Sequence, residues 1–181
     1  MNPVLATEVT DTLVAYEARY GAPSGRVDVL RAALDAGRSV TSRDDVPIHV
    51  TCGGIVRDPD GRVLQVHHKV LGIWLFPGGH LEPRDASLLA AARREVAEET
   101  GLVPREGDVT EARRVPVDIG VHLIPANDGR GEPEHYHADF RYIVPVTGGT
   151  VQLQPDEVTD WRWVDPDDIG NPRLAERLRS R

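Results

Sequence analysis

The chain has almost no cysteine. Cys52 is the single cysteine among 181 residues, so no disulfide can form within the chain and no zinc site of several cysteines can be assembled. The N-terminal residues also lack the basic start and the continuous apolar run of a signal peptide. A free thiol suits a reducing compartment, and we therefore expect a cytoplasmic protein.

The sequence also lacks long apolar runs and an excess of basic residues. No stretch approaches the roughly 20 apolar residues that a bilayer span needs, so no membrane association is expected. The formal net charge is −8, which disfavours a bulk nucleic-acid partner because such binding depends on Lys and Arg neutralising phosphates. A phosphorylated small molecule stays compatible if metal ions supply positive charge locally.

Two helices are predicted in the N-terminal part of the chain. Apolar residues recur at steps of three and four between Leu5 and Tyr20, and again between Val27 and Leu34. We interpret residues 1–45 as an N-terminal helical arm that packs on its own chain or forms a homodimer, because its apolar stripe must be buried. Residues 46–181 are predicted to form the second unit.

Strand-like patterns follow Pro47. The runs 48–56 and 62–68 flank the turn signal Asp58–Gly61 and predict a β-hairpin. The region rich in Gly, Pro and Asn at 124–137 predicts a long loop, and long ordered loops are often functional. Further strands are predicted near 112–124, 137–146 and 159–164, with a short terminal helix from Asp167.

The most informative segment is a helix predicted at about 85–100, with Gly101 as its C-terminal glycine. At 100° per residue, Glu95, Glu98 and Glu99 fall within an arc of roughly 100° beside an apolar stripe. Like charges at this spacing repel one another, and a divalent cation reverses the sign of that effect. Oxygen ligands that leave positions open for water and phosphate suit Mg²⁺.

A solvated acidic turn at a helix end is common and by itself indicates no metal. Two neighbouring features favour a single metal site that includes these glutamates. Gly78 and Gly79 allow a tight turn beside the helix start, and Arg94 precedes Glu98 by four residues, which lets it hold that carboxylate in position.

These residues resemble the Nudix box, G-x5-E-x7-R-E-U-x-E-E-x-G-U with U an aliphatic residue. Asp85 stands where the first glutamate is expected, and eight residues instead of seven separate it from Arg94. We interpret Asp85 as the N-terminal cap of the helix and expect the preceding loop to absorb the additional residue. The matching positions are Gly79, Arg94, Glu95, Val96, Glu98, Glu99, Gly101 and Leu102.

The resemblance implies an α/β protein, a Nudix-type α/β/α sandwich around a mixed β-sheet with an N-terminal helical arm, in which residues 46–181 form the hydrolase domain. It implies a metal-dependent hydrolase that cleaves the diphosphate linkage of a nucleoside diphosphate derivative or a nucleoside triphosphate. Mg²⁺ is the implied cofactor, with Mn²⁺ as the alternative, and a small nucleotide-like molecule is the implied substrate. The implied metal ligands are Gly79 through its carbonyl, Glu95, Glu98, Glu99 and Glu157 of a later loop.

The general base stays open between Glu98, Glu99 and Glu157, since members of the family use different glutamates for this step. Arg94 completes the implied catalytic set. The substrate is not specified by the sequence. Aromatic residues that can stack on a base, such as Trp74 and Phe140, are more often part of a core.

Histidines form a second group of candidates. His67 and His68 end a predicted strand, whereas His135 and His137 share one face of another, so the latter pair is the better transition-metal candidate. Asp139, two residues further on, can join them. We favour the interpretation that all of these are surface or substrate-contacting histidines over the interpretation that they form a metal site.

Two other functions compete with hydrolysis. A non-catalytic Nudix-like nucleotide-sensing module tends to lack part of the glutamate set, which is complete here. An isopentenyl diphosphate isomerase-like enzyme needs a reactive cysteine, and Cys52 lies in a strand-like run where a lone cysteine is usually a small buried apolar residue.

Overall fold

The computed structural model describes residues 3–105 and 114–180. Short 3-10 helices occur at Asp128–Arg130 and Pro166–Asp168. The helices are α1 (Pro3–Tyr20), α2 (Val27–Asp35), α3 (Leu88–Thr100) and α4 (Pro172–Arg179), and the strands are β1 (Ser24–Gly25), β2 (Ile48–Ile55), β3 (Val63–His68), β4 (Trp74–Leu75), β5 (Gly78–His80), β6 (Asp118–Ile124), β7 (His135–Ile143) and β8 (Val158–Val164).

Two sheets organise the chain. The larger has the order β1-β6-β7-β2-β5 and is mixed, because β2 pairs parallel with β7 and antiparallel with β5. The smaller is antiparallel, with β3 between β4 and β8. The predicted α/β class with a mixed sheet is confirmed. Among the described residues, no helix is long and apolar enough to cross a membrane.

The two faces of the larger sheet are covered differently. Helices α1, α2 and α3 pack on one face, in a core that includes Leu13, Leu30, Val96 and Phe140. Helix α4 packs near the other face in a smaller cluster with Ile55 and Val63. On strand β2, side chains alternate between the two faces, so Val50 and Cys52 face the first cluster while His49 and Thr51 face away from it.

Both helices predicted in the N-terminal arm are present, and the apolar stripe of α1 is buried on its own chain. Leu5, Val9 and Tyr16 belong to the main core. The carboxylate of Glu8 accepts a hydrogen bond from the backbone N–H of Leu88 at the start of α3. The arm therefore packs against the helix that carries the glutamates. The division into an arm at 1–45 and a domain at 46–181 stays a prediction.

The predicted β-hairpin is wrong in its extent. The turn after Asp58 forms, and Leu64 N–H donates to Val56 O at 3.0 Å. Beyond it, β2 joins the larger sheet and β3 the smaller one. The two runs separate because β2, buried along most of its length, pairs with β7 and β5.

The predicted strand boundaries are partly corrected. Residues 112 and 113 of the strand predicted near 112–124 lie outside the described part of the chain, and β6 begins at Asp118. The strand predicted near 137–146 begins earlier, at His135, so the long connection ends sooner than expected.

Candidate metal centre

Helix α3 is fixed at both ends and pressed against β2. Ser87, not Asp85, is its N-cap: the Ser87 hydroxyl accepts a hydrogen bond from Ala90 N–H at 3.0 Å. Gly101 ends the helix with φ of 66°, as predicted. A Cβ on Gly54 would lie 2.2 Å from Val96 Cγ2, so only glycine lets the helix and strand approach this closely.

The capping role predicted for Asp85 is therefore wrong. Asp85 lies in the loop before α3, where Oδ2 accepts from Glu82 N–H at 2.7 Å. Its two oxygens also face the guanidinium of Arg94, with distances of 3.0 Å from Nε to Oδ1 and from Nη2 to Oδ2. A two-pronged ion pair with a buried arginine explains why this carboxylate is not free to cap a helix.

Arg94 organises the acidic side of α3. Its side chain is 13% exposed, and it donates to Glu95 Oε1 at 2.8 Å, to Glu98 Oε2 at 2.9 Å and to His80 O at 2.9 Å. These contacts connect the loop, strand β5 and two of the glutamates. By these contacts Arg94 is a positioning residue.

Glu95 and Glu99 form the buried part of the cluster. Burial raises the pKa of Glu95 to about 7, with the charge of Arg94 opposing the change. Burial and the neighbouring charge of Glu95 raise the pKa of Glu99 to about 8, while Gly78 N–H, 3.2 Å from Glu99 Oε2, favours the charged form. Two desolvated carboxylates this close carry an electrostatic cost that a cation would relieve.

Gly79 lies against Glu95 with no space for a side chain. A Cβ at this position would be 2.7 Å from Glu95 Oε1. On the neighbouring residue, a Cβ on Gly78 would be 2.8 Å from Cys52 O. Glycine is therefore required at Gly78, which meets the backbone of β2, whereas a methyl group at Gly79 would displace the Glu95 carboxylate. The sequence indicated only a tight turn here.

Glu98 and Glu157 complete the set of glutamates. Glu98 accepts hydrogen bonds from Arg84 at 2.8 Å and from Arg94 at 2.9 Å. Glu157 is exposed and lies on the loop before β8, whose Gln154 N–H donates to Glu99 O at 3.3 Å. Its charge contributes to the raised pKa of both buried glutamates, so Glu157 faces the same cluster.

This arrangement fits a hard divalent cation. The donors are carboxylate oxygens, and Gly79 brings a backbone segment into contact with Glu95. Mg²⁺ and Mn²⁺ favour such oxygen ligands and leave coordination positions for water and phosphate. Of the four carboxylates, two are buried and hold fixed positions, and two are at the surface where a substrate can approach.

The other candidates divide between core and surface. Cys52 is buried and its thiol pKa is raised by burial, which matches a small apolar residue and not a reactive thiol. Phe140 is fully buried in the core. Trp74 is half-buried, with the Arg162 guanidinium 4.2 Å from its ring centre.

The histidines group differently from the sequence-based interpretation. His135 and His137 do meet, with 3.1 Å between their Nε2 atoms. His49 of β2 and His80 of β5 join them, and neither was singled out from the sequence. The four histidines come together only because β2 pairs with β5 and with β7, which are distant from one another in the chain. His67 instead contacts the Thr159 hydroxyl at 2.9 Å.

The chain is similar to known proteins along most of its length. The family model of the NUDIX domain matches residues 47–180. An RNA pyrophosphohydrolase of Erythrobacter litoralis is 27% identical over 146 residues, which cover 72% of this chain and 83% of that protein. A MutT-like protein of Streptomyces ambofaciens is 33% identical over 133 residues, which cover 72% of each. A solved structure of a C. elegans Ap4A hydrolase, 19% identical, covers 72% of this chain and 92% of that chain with a TM-score of 0.49.

Proposed function

This chain belongs to the NUDIX family, and on that premise we propose that it hydrolyses the diphosphate linkage of a nucleoside diphosphate derivative or a nucleoside triphosphate with Mg²⁺ or Mn²⁺. It is a pyrophosphohydrolase acting on phosphorus-containing acid anhydrides. The observation that carries the finer proposal is the pair of buried carboxylates of Glu95 and Glu99, next to Gly79 and flanked by two exposed glutamates.

Each residue has a distinct role in this proposal. Glu95, Glu98 and Glu99 hold the divalent cations, with the Gly79 carbonyl as a further ligand and Glu157 as either a further ligand or the base. When bound, the cations neutralise charge that develops on the diphosphate and lower the pKa of a water molecule that attacks phosphorus. Arg94 keeps Glu95 and Glu98 in place through its hydrogen bonds.

The base that takes the proton of the attacking water is one of three glutamates, and we favour Glu157. Both oxygens of Glu98 accept hydrogen bonds from arginines, and Glu99 is buried with one oxygen near Gly78 N–H. The arginine contacts favour the charged form of Glu98 and make it a weaker proton acceptor, while burial keeps Glu99 away from the protein surface. Glu157 is exposed, and it is close enough to the cluster for its charge to act on both buried glutamates.

The substrate test is product release from a panel of nucleoside triphosphates, ADP-ribose, dinucleoside polyphosphates, nucleotide sugars and 5′-triphosphorylated RNA. Each is incubated with Mg²⁺, with Mn²⁺ and with chelator. Cleavage that requires the metal supports the proposal and names the substrate class. Tight binding without turnover across the panel would contradict it and favour the nucleotide-sensing module.

The choice of base is tested by comparing Glu157→Gln with Glu98→Gln. Loss of the proton acceptor should lower kcat, leave KM little changed and remove the acidic limb of the pH profile of kcat. We expect this result for Glu157→Gln. If only Glu98→Gln produces it, the base is Glu98.

The partners follow from the same reasoning. The net charge of −8 favours a small nucleotide over bulk nucleic acid, and the RNA member of the panel tests this directly. A homodimer stays a prediction. The buried stripe of α1 removes one reason to expect it, because the same chain already covers that surface.

A further inference from the structure

Four histidines lie together on the side of the larger sheet that faces away from α3. Gly79 of β5 faces Glu95, so its neighbour His80 points to the other side. In the pairing of β2 with β7, His49 is directly opposite His137, and Thr51 of β2 is opposite His80. Residues opposite each other share a face, which places His49, His80 and His137 on the side away from the glutamates.

The ring nitrogens of this group converge. One ligand nitrogen from each of His49, His80 and His137 lies within 4.8 Å of the other two. The Nε2 atoms of His49 and His80 are 3.2 Å apart. With metal–nitrogen bonds of about 2.0–2.1 Å, two imidazoles on a tetrahedral ion have nitrogens separated by about 3.3–3.4 Å. The existing spacing is therefore close to the edge of a tetrahedral site.

Backbone carbonyls orient two of the rings. Asp45 O lies 3.0 Å from His49 Nδ1, and Pro133 O lies 2.7 Å from His135 Nδ1. A carbonyl accepts only, so each Nδ1 carries the proton and each Nε2 of the neutral ring presents its lone pair. Metal-binding histidines are oriented in this way in proteins. His135 Nε2 lies 3.1 Å from His137 Nε2, which places it beside the three converging rings.

We propose that His49, His80 and His137 form a second metal site, which binds one borderline transition ion such as Zn²⁺ and leaves a fourth position for water or an anion. Neutral imidazoles suit such an ion, whereas Mg²⁺ favours the oxygen ligands of the glutamate cluster. His135 supports the site through its contact with His137.

A second grouping on the same face is a weaker candidate. His122, His137 and Asp139 also have ligand atoms within 4.8 Å of one another. Asp139 is already engaged, since its carboxylate accepts hydrogen bonds from Thr51 and Arg141. Half of the His122 side chain is exposed. In the described part of the chain, the ring nitrogens of the trio with His49 are hydrogen-bonded to a backbone carbonyl or to other histidines, and not to an arginine or lysine.

A metal at this site would join three strands. β5 is only three residues long and carries Gly79, which contacts Glu95 on the opposite side. A bond to His80 would fix β5 to the longer strands β2 and β7. The site is therefore expected to raise the thermal stability of the protein and to steady the backbone beside the glutamates, independently of any turnover.

The test is a Zn²⁺ titration of the full chain, freed of affinity tag and bound metal, in excess Mg²⁺ that occupies the glutamates. We expect one tightly bound Zn²⁺ per chain and a higher Tm. His80→Gln and His137→Gln should each weaken this binding at least tenfold. His67→Gln, on the other sheet, is the matched control and should bind Zn²⁺ as the original chain does. The double variant Glu95→Gln/Glu99→Gln should also bind Zn²⁺ as the original chain does.

Two results of the Zn²⁺ titration would overturn the proposed histidine site. No tight Zn²⁺ in the original chain, or full binding in both His80→Gln and His137→Gln, overturns the proposal. If the variants do not fold, X-ray absorption of the Zn²⁺-loaded original chain decides. Three imidazole nitrogens near 2.0 Å support the site, and a shell of oxygens alone refutes it.

Discussion

On the two sides of β5, burial acts on two different groups of candidate metal ligands, carboxylates on one side and imidazoles on the other. On the Gly79 side, burial raises the pKa of Glu95 and Glu99, to about 7 and about 8. On the His80 side, burial lowers the pKa of His80 and His137, to about 4 and about 3. In both places the charged form is disfavoured. The carboxylate cluster thus favours a hard cation, and the neutral imidazoles favour a borderline one.

Substitutions on the glutamate side of β5 should affect turnover far more than substitutions on the histidine side. Glu98→Gln is expected to lower kcat by about 10²- to 10⁴-fold, because it removes the negative charge of one proposed metal ligand. The measurement is product release at saturating substrate and Mg²⁺. Glu134→Gln, an exposed glutamate outside the cluster, is the control and should keep its activity. Unchanged turnover in Glu98→Gln would remove Glu98 from the mechanism.

Arg94→Met should have the largest effect on folding. It leaves the buried Asp85 carboxylate without its two-pronged partner, and breaking a buried ion pair in this way costs about 3–5 kcal/mol. Arg84→Met is the matched control, because the Arg84 side chain is 65% exposed and its pairs contribute about 1 kcal/mol or less. Urea unfolding measures both. Equal stability of the two variants would show that Arg94 does not organise the site.

The glutamates and the histidines on the two sides of β5 should have opposite effects on the pH dependence of stability. Between about pH 4.5 and 7, the folded, metal-free state keeps protons on Glu95 and Glu99 that the unfolded chain, with the ordinary glutamate pKa of 4.5, has released. Their contribution to stability is therefore present below about pH 4.5 and is lost as the pH rises to about 8. Histidines with lowered pKa act in the opposite sense, losing stability as the pH falls below 6.5.

Glu99→Gln isolates the carboxylate part of this balance. At pH 8 without metal, the variant should be more stable than the original chain by up to about 4 kcal/mol, because the pKa of Glu99 is raised from 4.5 to about 8, and the gap should close near pH 4. Thermal unfolding at several pH values, with Glu134→Gln as control, measures it. A gap that does not change with pH would contradict the raised pKa of Glu99.

The smallest expected effect comes from one methyl group. Gly79→Ala would place a Cβ 2.7 Å from Glu95 Oε1 and displace this ligand, so Mg²⁺ binding should weaken about tenfold, or about 1.4 kcal/mol. Gly129→Ala is the control, since a Cβ there lies 3.4 Å from the nearest atom. Calorimetry of Mg²⁺ binding compares them. Equal affinities would show that β5 adapts to the added methyl group.

The sequence predicts best what depends on neighbouring residues. The end of α3 at Gly101 and the shared face of Glu95, Glu98 and Glu99 follow from helical periodicity and a glycine C-terminus. The N-terminal end was misassigned by two residues. Ser87 and Asp85 are both good caps, and the choice depends on Arg94, nine residues further on, which binds Asp85.

Features that depend on strand pairing were not predictable in this way. The hairpin expected from 48–56 and 62–68 separates into two sheets because β2 pairs along its whole length with β7, and also with β5, in the larger sheet. For the same reason, His135 and His137 were paired correctly by alternation along one strand, whereas His49 and His80 were missed. Only the register of β2 with β7 and β5 brings them together.

The most direct test of the central claim is Mn²⁺ binding followed by electron paramagnetic resonance, in the original chain and in Glu95→Gln/Glu99→Gln. The buried glutamates should hold Mn²⁺, and Mg²⁺ should compete for it. We expect the double variant to lose this binding while its fold, checked by circular dichroism, is retained. Undiminished Mn²⁺ binding in a folded double variant would show that these glutamates do not form the metal centre.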